Sequence, residues 1–440
     1  MISIPGYRFT DTISEGDKIA VYRGQRLSDG QPARVRAIGG RFPDPRDVAR
    51  MRRDHEISSA LEVPGVIRSL GLFPHQGGLA IVLEDPGAVE LARATEQGVH
   101  SIFDFLRIGI QVAEILGQVH KKRIVHKNLH PGSILVHPTT GHVYITDFGI
   151  SSTLGRENAG LLTPDQIEGQ LPYIAPEQTG RMNRSIDYRS DFYSLGITLF
   201  EILTGRRPFE SNDPMEFVHF HIARDLPQAG KARYGDAVPE GIQQVLSRLT
   251  AKNPEDRYKS AAGLARDLTE CLKQLQEKGT ISNFTAGSRD FSDSFQIPQT
   301  LFGREKERDL LLASYAQVCD GHPVLALISG RSGAGKTVLI HEMLRPMTKS
   351  HGYFTSGKFE AHKRDVPYSA FIDAFEELIR QLLTESKERL AAWKDQLVRS
   401  FGMNGQVLID VIPDLQLIVG DQAPVPDLPP TEARNRFHLV

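Results

Sequence analysis

The stretch that most constrains this chain is Val324-Leu-Ala-Leu-Ile-Ser329, running without a break into Gly330-Arg331-Ser332-Gly333-Ala334-Gly335-Lys336-Thr337. An apolar run of that length reads as a buried strand, and GxxxxGK[ST] after it reads as a phosphate-cradling loop that opens a helix. The glycines let backbone N–H groups turn inward onto a triphosphate, and the helix starting near Lys336 aims its positive end at the same anion. Lys336 is expected on the β and γ phosphates of ATP, and Thr337 on Mg²⁺. Gly330, Ser332, Gly333, Ala334 and Gly335 complete the expected cradle, so this part of the chain is expected to fold as an α/β P-loop nucleotide-binding domain.

Hydrolysis also needs a carboxylate at the end of a second apolar strand, to orient the metal or the attacking water. Val407-Leu-Ile-Asp410 has that form. However, Asp410 is followed by Val411-Ile-Pro-Asp414 rather than by a second acid, and a helix fragment or a buried turn accounts for it equally well. The sequence stops at Phe437-His-Leu-Val440 inside an amphipathic segment without a stop signal. The expectation is a truncated protein.

A length of 440 residues exceeds what one core usually supports and argues for two domains. Apolar residues at 40%, charged residues at 24% and a net charge of −2 give no electrostatic footprint for nucleic acid. Cys271 and Cys319 are too few for a disulfide framework, which points to a reducing compartment, and the cytoplasm is the expected location. Met1-Ile-Ser-Ile-Pro-Gly6 lacks the basic and apolar regions of a targeting signal, and no apolar run approaches the ~20 residues of a membrane helix.

Short strands are expected over Tyr7–Ile13, Ile19–Leu27 and Pro32–Ala37, with Asp29-Gly30 as a turn between them. A long helix is expected over Ser101–Lys121, where Ser101 and Asp104 have capping-box spacing and apolar residues recur at helical intervals. Further helices are expected over Asp191–Leu203, after Asp213-Pro214, after Pro239 and over Ser260–Gln276. The polar stretch that follows reads as a linker, dividing the chain into residues 7–275, a linker over 276–299 and residues 300–440.

Within the first domain, His126-Lys-Asn128 follows the long helix and Asp147-Phe-Gly149 follows the apolar strand His142–Thr146. Ala175-Pro-Glu177, Asp191-Phe-Tyr-Ser-Leu-Gly196 and Asn253-Pro-Glu-Asp-Arg257 come next in order. This succession resembles the serine/threonine protein-kinase family over roughly residues 7 to 275. The resemblance implies an α+β bilobal protein-kinase-like fold. It also implies Asp147 on the nucleotide's Mg²⁺, Asp191 anchoring the catalytic-loop backbone with His126 as a structural member, and Glu177 paired with Arg257 as a brace.

Gly180-Arg-Met-Asn-Arg184, Phe295-Gln-Ile-Pro298 and Leu301-Phe-Gly-Arg-Glu305 are similar to segments of large bacterial signalling proteins. Those proteins carry a kinase domain, an AAA-like or STAND-like ATPase, a GAF sensor and a histidine kinase. That resemblance implies that the chain covers the kinase and an incomplete ATPase domain whose second carboxylate lies beyond Val440, with GAF and histidine kinase modules downstream as signalling partners and ATP and Mg²⁺ as cofactors.

The sequence departs from the kinase pattern where the chemistry sits. Asn128 stands where the family has an Asp that accepts or orients the substrate hydroxyl proton, and an amide has no useful basicity. Such help is worth about 10²- to 10⁴-fold, or roughly 3 to 5 kcal/mol of barrier. Ser133 replaces the Asn that serves as second metal ligand and is a weaker ligand for a hard cation. In Ser14-Glu-Gly-Asp-Lys-Ile-Ala-Val21 only Gly16 and Val21 survive from the glycine-rich loop, and Asp17 adds negative charge beside the phosphates. The strand lysine appears as Arg36, and its acidic partner is Asp54, with Glu56 as a rival.

Two functions follow. One is a regulatory pseudokinase that passes its state to the ATPase behind it. The other is an active serine/threonine kinase with atypical groups, which the retained Asp147-Phe-Gly would serve.

Overall fold

The computed structural model describes residues 2–16, 19–38, 43–97, 101–153, 167–182, 185–291, 303–331, 334–350, 352–359, 368–383, 385, 387–426 and 428–439. Tyr7–Glu15 (β1), Ile19–Arg26 (β2) and Pro32–Ile38 (β3) form the strands the alternation predicts, with ends differing by a residue or two. After helix Pro45–Ala60 (α1) come Ser69–His75 (β4) and Gly78–Glu84 (β5), which complete an antiparallel sheet in the order β1-β2-β3-β5-β4. β3 shows why this lobe folds. Ala33, Val35 and Ala37 pack with Ile2, Ile4, Phe9, Ala80 and Val82 on one face. Ile38 packs with Met51 of α1, Ile81 and Leu83 on the other. Arg34 and Arg36 share the face of Ile38, because side chains alternate along a strand. α1 begins with Asp44 as N-cap, whose Oδ1 accepts from Arg46 N at 2.8 Å, and with Pro45 at the first helical position.

A two-residue strand, Val89–Glu90 (β6), and Leu91–Gln97 (α2) lead from the sheet into a helical lobe built on Ile102–Lys121 (α3). Ser101 caps α3 as expected: its Oγ accepts from Asp104 N at 3.2 Å and donates to Asp104 Oδ2 at 2.7 Å. Short strands Ile124–Val125 (β7), Ile134–Val136 (β8), Val143–Ile145 (β9) and Ser152–Thr153 (β10) form two small sheets, β6-β8-β9 and β7-β10. Helices Arg189–Thr204 (α4), Pro214–Ala223 (α5), Glu240–Leu249 (α6) and Ala261–Lys278 (α7) follow. Asp213 and Ser260 cap α5 and α7 by accepting from Met215 N and Gly263 N. Phe105, Leu116, Phe192, Leu199, Leu264 and Leu268 share one core.

The polar stretch after α7 is not free of the lobe. α7 ends on Gly279 in the left-handed region, and Ile281 is buried in the same core. Asp290 accepts from Lys259 N at 2.6 Å and from Ser260 Oγ at 3.0 Å. Residues 292–300 lie outside the described residues.

The described second half is helical: Glu305–Cys319 (α8), Lys336–His341 (α9), Leu344–Lys349 (α10), Ser369–Leu382 (α11), Lys387–Phe401 (α12), Gly405–Ile409 (α13), Gln416–Val419 (α14) and Pro430–Leu439 (α15). Ile379, Leu382, Ile409, Ile412, Leu415 and Ile418 form its core. Val324–Ser329 is not a strand here, and Leu325 and Leu327 are 86% and 88% exposed. A strand needs a neighbour for its N–H and C=O groups, and among the described residues nothing pairs with this one. Apolarity alone predicted burial without supplying that neighbour. Val407–Asp410 is likewise no strand end: Asp410 caps the C-terminus of α13, and its Oδ1 accepts from Gln406 Nε2 at 2.9 Å. Of the readings left open there, the helix fragment describes it.

Candidate functional site

Four elements meet at the cleft between the lobes: β3, α1, the loop after β7 and the loop after β9. Arg36 points from β3 into it, with Nη2 on Asp54 Oδ2 of α1 and Nη1 on Asp147 Oδ1 at 2.9 Å. The other oxygen of Asp54 accepts from Phe148 N at 3.0 Å. Glu56 is exposed, so Asp54 is the residue that meets Arg36. Burial pushes the Asp54 carboxyl up, and Arg36 only partly offsets that. Burial acts on Asp147 in the same sense, but there Arg36 outweighs it and holds the carboxyl below its usual range.

Asp147 sits at φ 73°, in a left-handed conformation that an Asp tolerates better than most residues. Its second oxygen accepts from Asn128 Nδ2 at 2.7 Å. Asn128 Oδ1 is buried without a hydrogen-bond partner. Ser133 Oγ donates towards Asn128 O at 2.9 Å and His130 O at 3.1 Å, and accepts from His130 N at 3.0 Å. The hydroxyl is thus spent on shaping its own loop.

The loop is anchored from beneath. Asp191, fully buried on α4, accepts from Lys127 N at 2.7 Å, His126 N at 2.9 Å and His120 Nε2 at 2.8 Å. His126 Nδ1 accepts from Asn128 N at 3.2 Å, so the ring proton is on Nε2, which donates to Thr146 O at 3.0 Å. One histidine therefore ties the Asn128 and Asp147 loops together. Glu177 and Arg257 form a buried bidentate pair at 2.7 and 2.8 Å, and Ser190 Oγ donates to Glu177 Oε1 at 2.6 Å. Gly180, Arg181 and Met182 continue buried beyond it, while Asn183 and Arg184 lie outside the described residues.

Over the cleft, Gly16 N donates to Ile19 O at 3.0 Å, and Val21 pairs with Ser14 and with Arg36 in the flanking strands. Asp17 and Lys18 lie outside the described residues. In the second half, Lys336 Nζ donates to Gly330 O at 2.8 Å and Arg331 O at 2.9 Å, curling over the loop. Gly335 precedes α9 at φ 81°, a position that favours glycine, and Thr337 is exposed. Ala334 is exposed beside it, and Ser332 and Gly333 lie outside the described residues.

A strand-rich lobe, a helical lobe and this ordered set of buried anchors define a protein-kinase fold. Residues 7–269, more than half of the chain, match the protein kinase domain, and the chain belongs to that family. Residues 300–440 match the AAA ATPase domain. The chain is 36% identical over 288 residues to "Hybrid signal transduction histidine kinase G" of Dictyostelium discoideum, covering 61% of this chain and 8% of that protein. It is 26% identical over 380 residues to "Histidine protein kinase 1" of Candida albicans, covering 79% of this chain and 15% of that one. It is 26% identical over 276 residues to "Serine/threonine-protein kinase PrkC" of Bacillus subtilis, covering 62% and 42%. The chain thus spans less than half the length of each of these relatives. Among the described residues no helix is long and apolar enough to cross a membrane.

Both domains imply ATP and a divalent metal. In the kinase half each oxygen of Asp147 accepts one hydrogen bond, from Arg36 and from Asn128, and keeps a lone pair with which it would hold the metal, while the Ser133 hydroxyl is turned into its loop. No group of three or more His, Cys, Asp or Glu suited to a metal occurs among the described residues. In the P-loop half an exposed Thr337 hydroxyl beside a lysine that bridges loop carbonyls is chemically suited to Mg²⁺ and phosphate.

Proposed function

We propose that this chain is the nucleotide-responsive front of a signalling protein: a kinase-fold regulatory module without phosphotransfer, joined to a P-loop ATPase that binds Mg-ATP. The observation that carries this reading is the hydrogen bond from Asn128 Nδ2 to Asp147 Oδ2. A proton acceptor is expected at position 128, and a donor stands there instead, satisfied by the carboxylate that would hold the metal. The anchors below, Asp191, His126 and the Glu177–Arg257 pair, support a preserved scaffold, which a partner-binding module needs as much as an enzyme does.

Lys336 and Thr337 hold the phosphates and the metal in the P-loop half. In the whole protein, GAF and histidine kinase modules downstream receive the signal; the printed names of two relatives favour the histidine kinase part of this reading. The cytoplasm is the proposed location. Calorimetric titration of the full chain with Mg-ATP tests the ATPase part: binding is expected, and Lys336→Ala is expected to abolish it. Unchanged binding in that variant overturns the P-loop assignment.

A further inference from the structure

The second arginine on the cleft face of β3 has no part in the site described so far. Arg34 is 9% exposed, and its Nη2 donates to Asp85 Oδ1 at 2.7 Å and to Ala88 O at 2.9 Å. Asp85 and Ala88 belong to the segment between β5 and β6, where the chain crosses from one lobe to the other. Ala33 lies opposite Glu84, so Arg34 stands at the crossing end of β3. Arg36 follows about 7 Å further along the same face. On β2, Arg23 is directly opposite Arg34 and also pairs with Asp85. Two cations that would repel across the ladder are thus joined by one carboxylate, which also accepts from Gly87 N at 3.0 Å.

We propose that Arg34 fills the nucleobase end of the interlobe cleft and Arg36 its phosphate end, so that the kinase-fold half is closed by its own side chains and takes no nucleotide. This goes beyond the reading above, which concerns turnover, and it leaves the P-loop as the chain's nucleotide site. A nucleotide whose phosphates lay beside the β3 basic residue and Asp147 would have to send its base along β3 past residue 34 towards the crossing. That path is occupied. Two of the crossing's backbone groups are also withdrawn from a base edge: the Ala88 carbonyl accepts from Arg34, and Pro86 has no N–H to offer. At the phosphate end, a cavity of about 180 Å³ lies beside Arg36, Asn128 and Asp147, and Arg34 does not line it.

The test uses the full chain carrying Lys336→Ala and Thr337→Ala, which removes the P-loop's phosphate and metal groups, titrated with ATP in the presence of Mg²⁺ and again with EDTA. No binding is expected in either condition. Adding Arg34→Ala to that background empties the base end, while Asp85 keeps Arg23 and Gly87 N as partners, and is expected to produce saturable ATP binding where the background shows none. Saturable ATP binding by the variant that retains Arg34, with or without metal, overturns the proposal. So does a folded Arg34→Ala variant that gains nothing. Phosphotransfer that depends on Asp147 needs nucleotide in the cleft and would overturn this proposal together with the regulatory reading, whereas wild-type chain that binds no ATP would sink the P-loop reading alone.

Discussion

Asn128 and Asp147 face each other across 2.7 Å, amide nitrogen to carboxylate oxygen. That contact depends on residue 128 being an amide. Asn128→Asp would set two carboxylates at the same separation, where they do not both ionise. The variant is expected to be less stable than the parent at pH 7 by about 1–3 kcal/mol. A carboxyl whose pKa is raised on folding contributes stability at low pH that is lost as pH rises, so the deficit should shrink towards pH 5. Thermal melts of both proteins across pH 5–8 check this; a deficit that does not change with pH contradicts it.

Glu177 and Arg257 are a buried pair with no solvent to replace a lost partner. Arg257→Ala is expected to cost about 3–5 kcal/mol, because it leaves the Glu177 carboxylate buried and uncompensated. Glu177→Gln combined with Arg257→Met should cost less than the sum of the single changes. Urea denaturation of the three variants measures the coupling, and simple additivity would argue against it.

His221 gives the fold an acid-sensitive point. It is buried, with Nδ1 accepting from the Tyr193 hydroxyl at 3.0 Å and Nε2 donating to Leu171 O at 2.8 Å. Burial and the nearby Lys252 push its pKa down to about 3. The unfolded chain takes up a proton near pH 6.5 that the folded chain refuses until far lower pH. Stability should therefore fall as pH drops below that unfolded value, by ~1.4 kcal/mol per pH unit for this residue. Denaturation of wild type and His221→Gln between pH 7 and 5 should show the variant with the shallower slope; equal slopes contradict the assignment.

Ser101 caps α3, the helix on which the helical lobe is built, where its Oγ accepts from Asp104 N. Ser101→Ala is expected to lower stability by about 1 kcal/mol, and Ser101→Asn by much less. Equal losses from the two substitutions would show that the cap is not what matters there.

Much of this architecture was legible in the sequence wherever a local rule has a local cause. The cap at Ser101, Asp213 and Ser260, the alternation in Pro32–Ala37 and the order of Asn128, Asp147, Glu177, Asp191 and Arg257 each announce their place. What failed depended on distant partners. Val324–Ser329 is apolar enough for a strand but has no described strand to pair with. The stretch after Gly279 reads as polar linker because what ties it down lies far along the sequence: Ile281 in the core of the helical lobe, Gly287 N on Asp267, and Asp290 on Lys259 and Ser260. Arg34 was missed because an arginine in a strand reads as a solvated side chain. Its signal was there: Arg34 and Arg36 share a face with the buried Ile38, so both needed acids, and Asp85 stands just past the end of β5.

The decisive measurement is phosphate transfer from labelled ATP with Mg²⁺ to serine and threonine peptides, and to the chain itself, by the full chain and by its Asp147→Ala variant. The two proteins are expected to give the same background labelling, since the group at position 128 donates rather than accepts a proton. Vigorous labelling by the parent that disappears in Asp147→Ala would contradict the regulatory reading of the kinase fold.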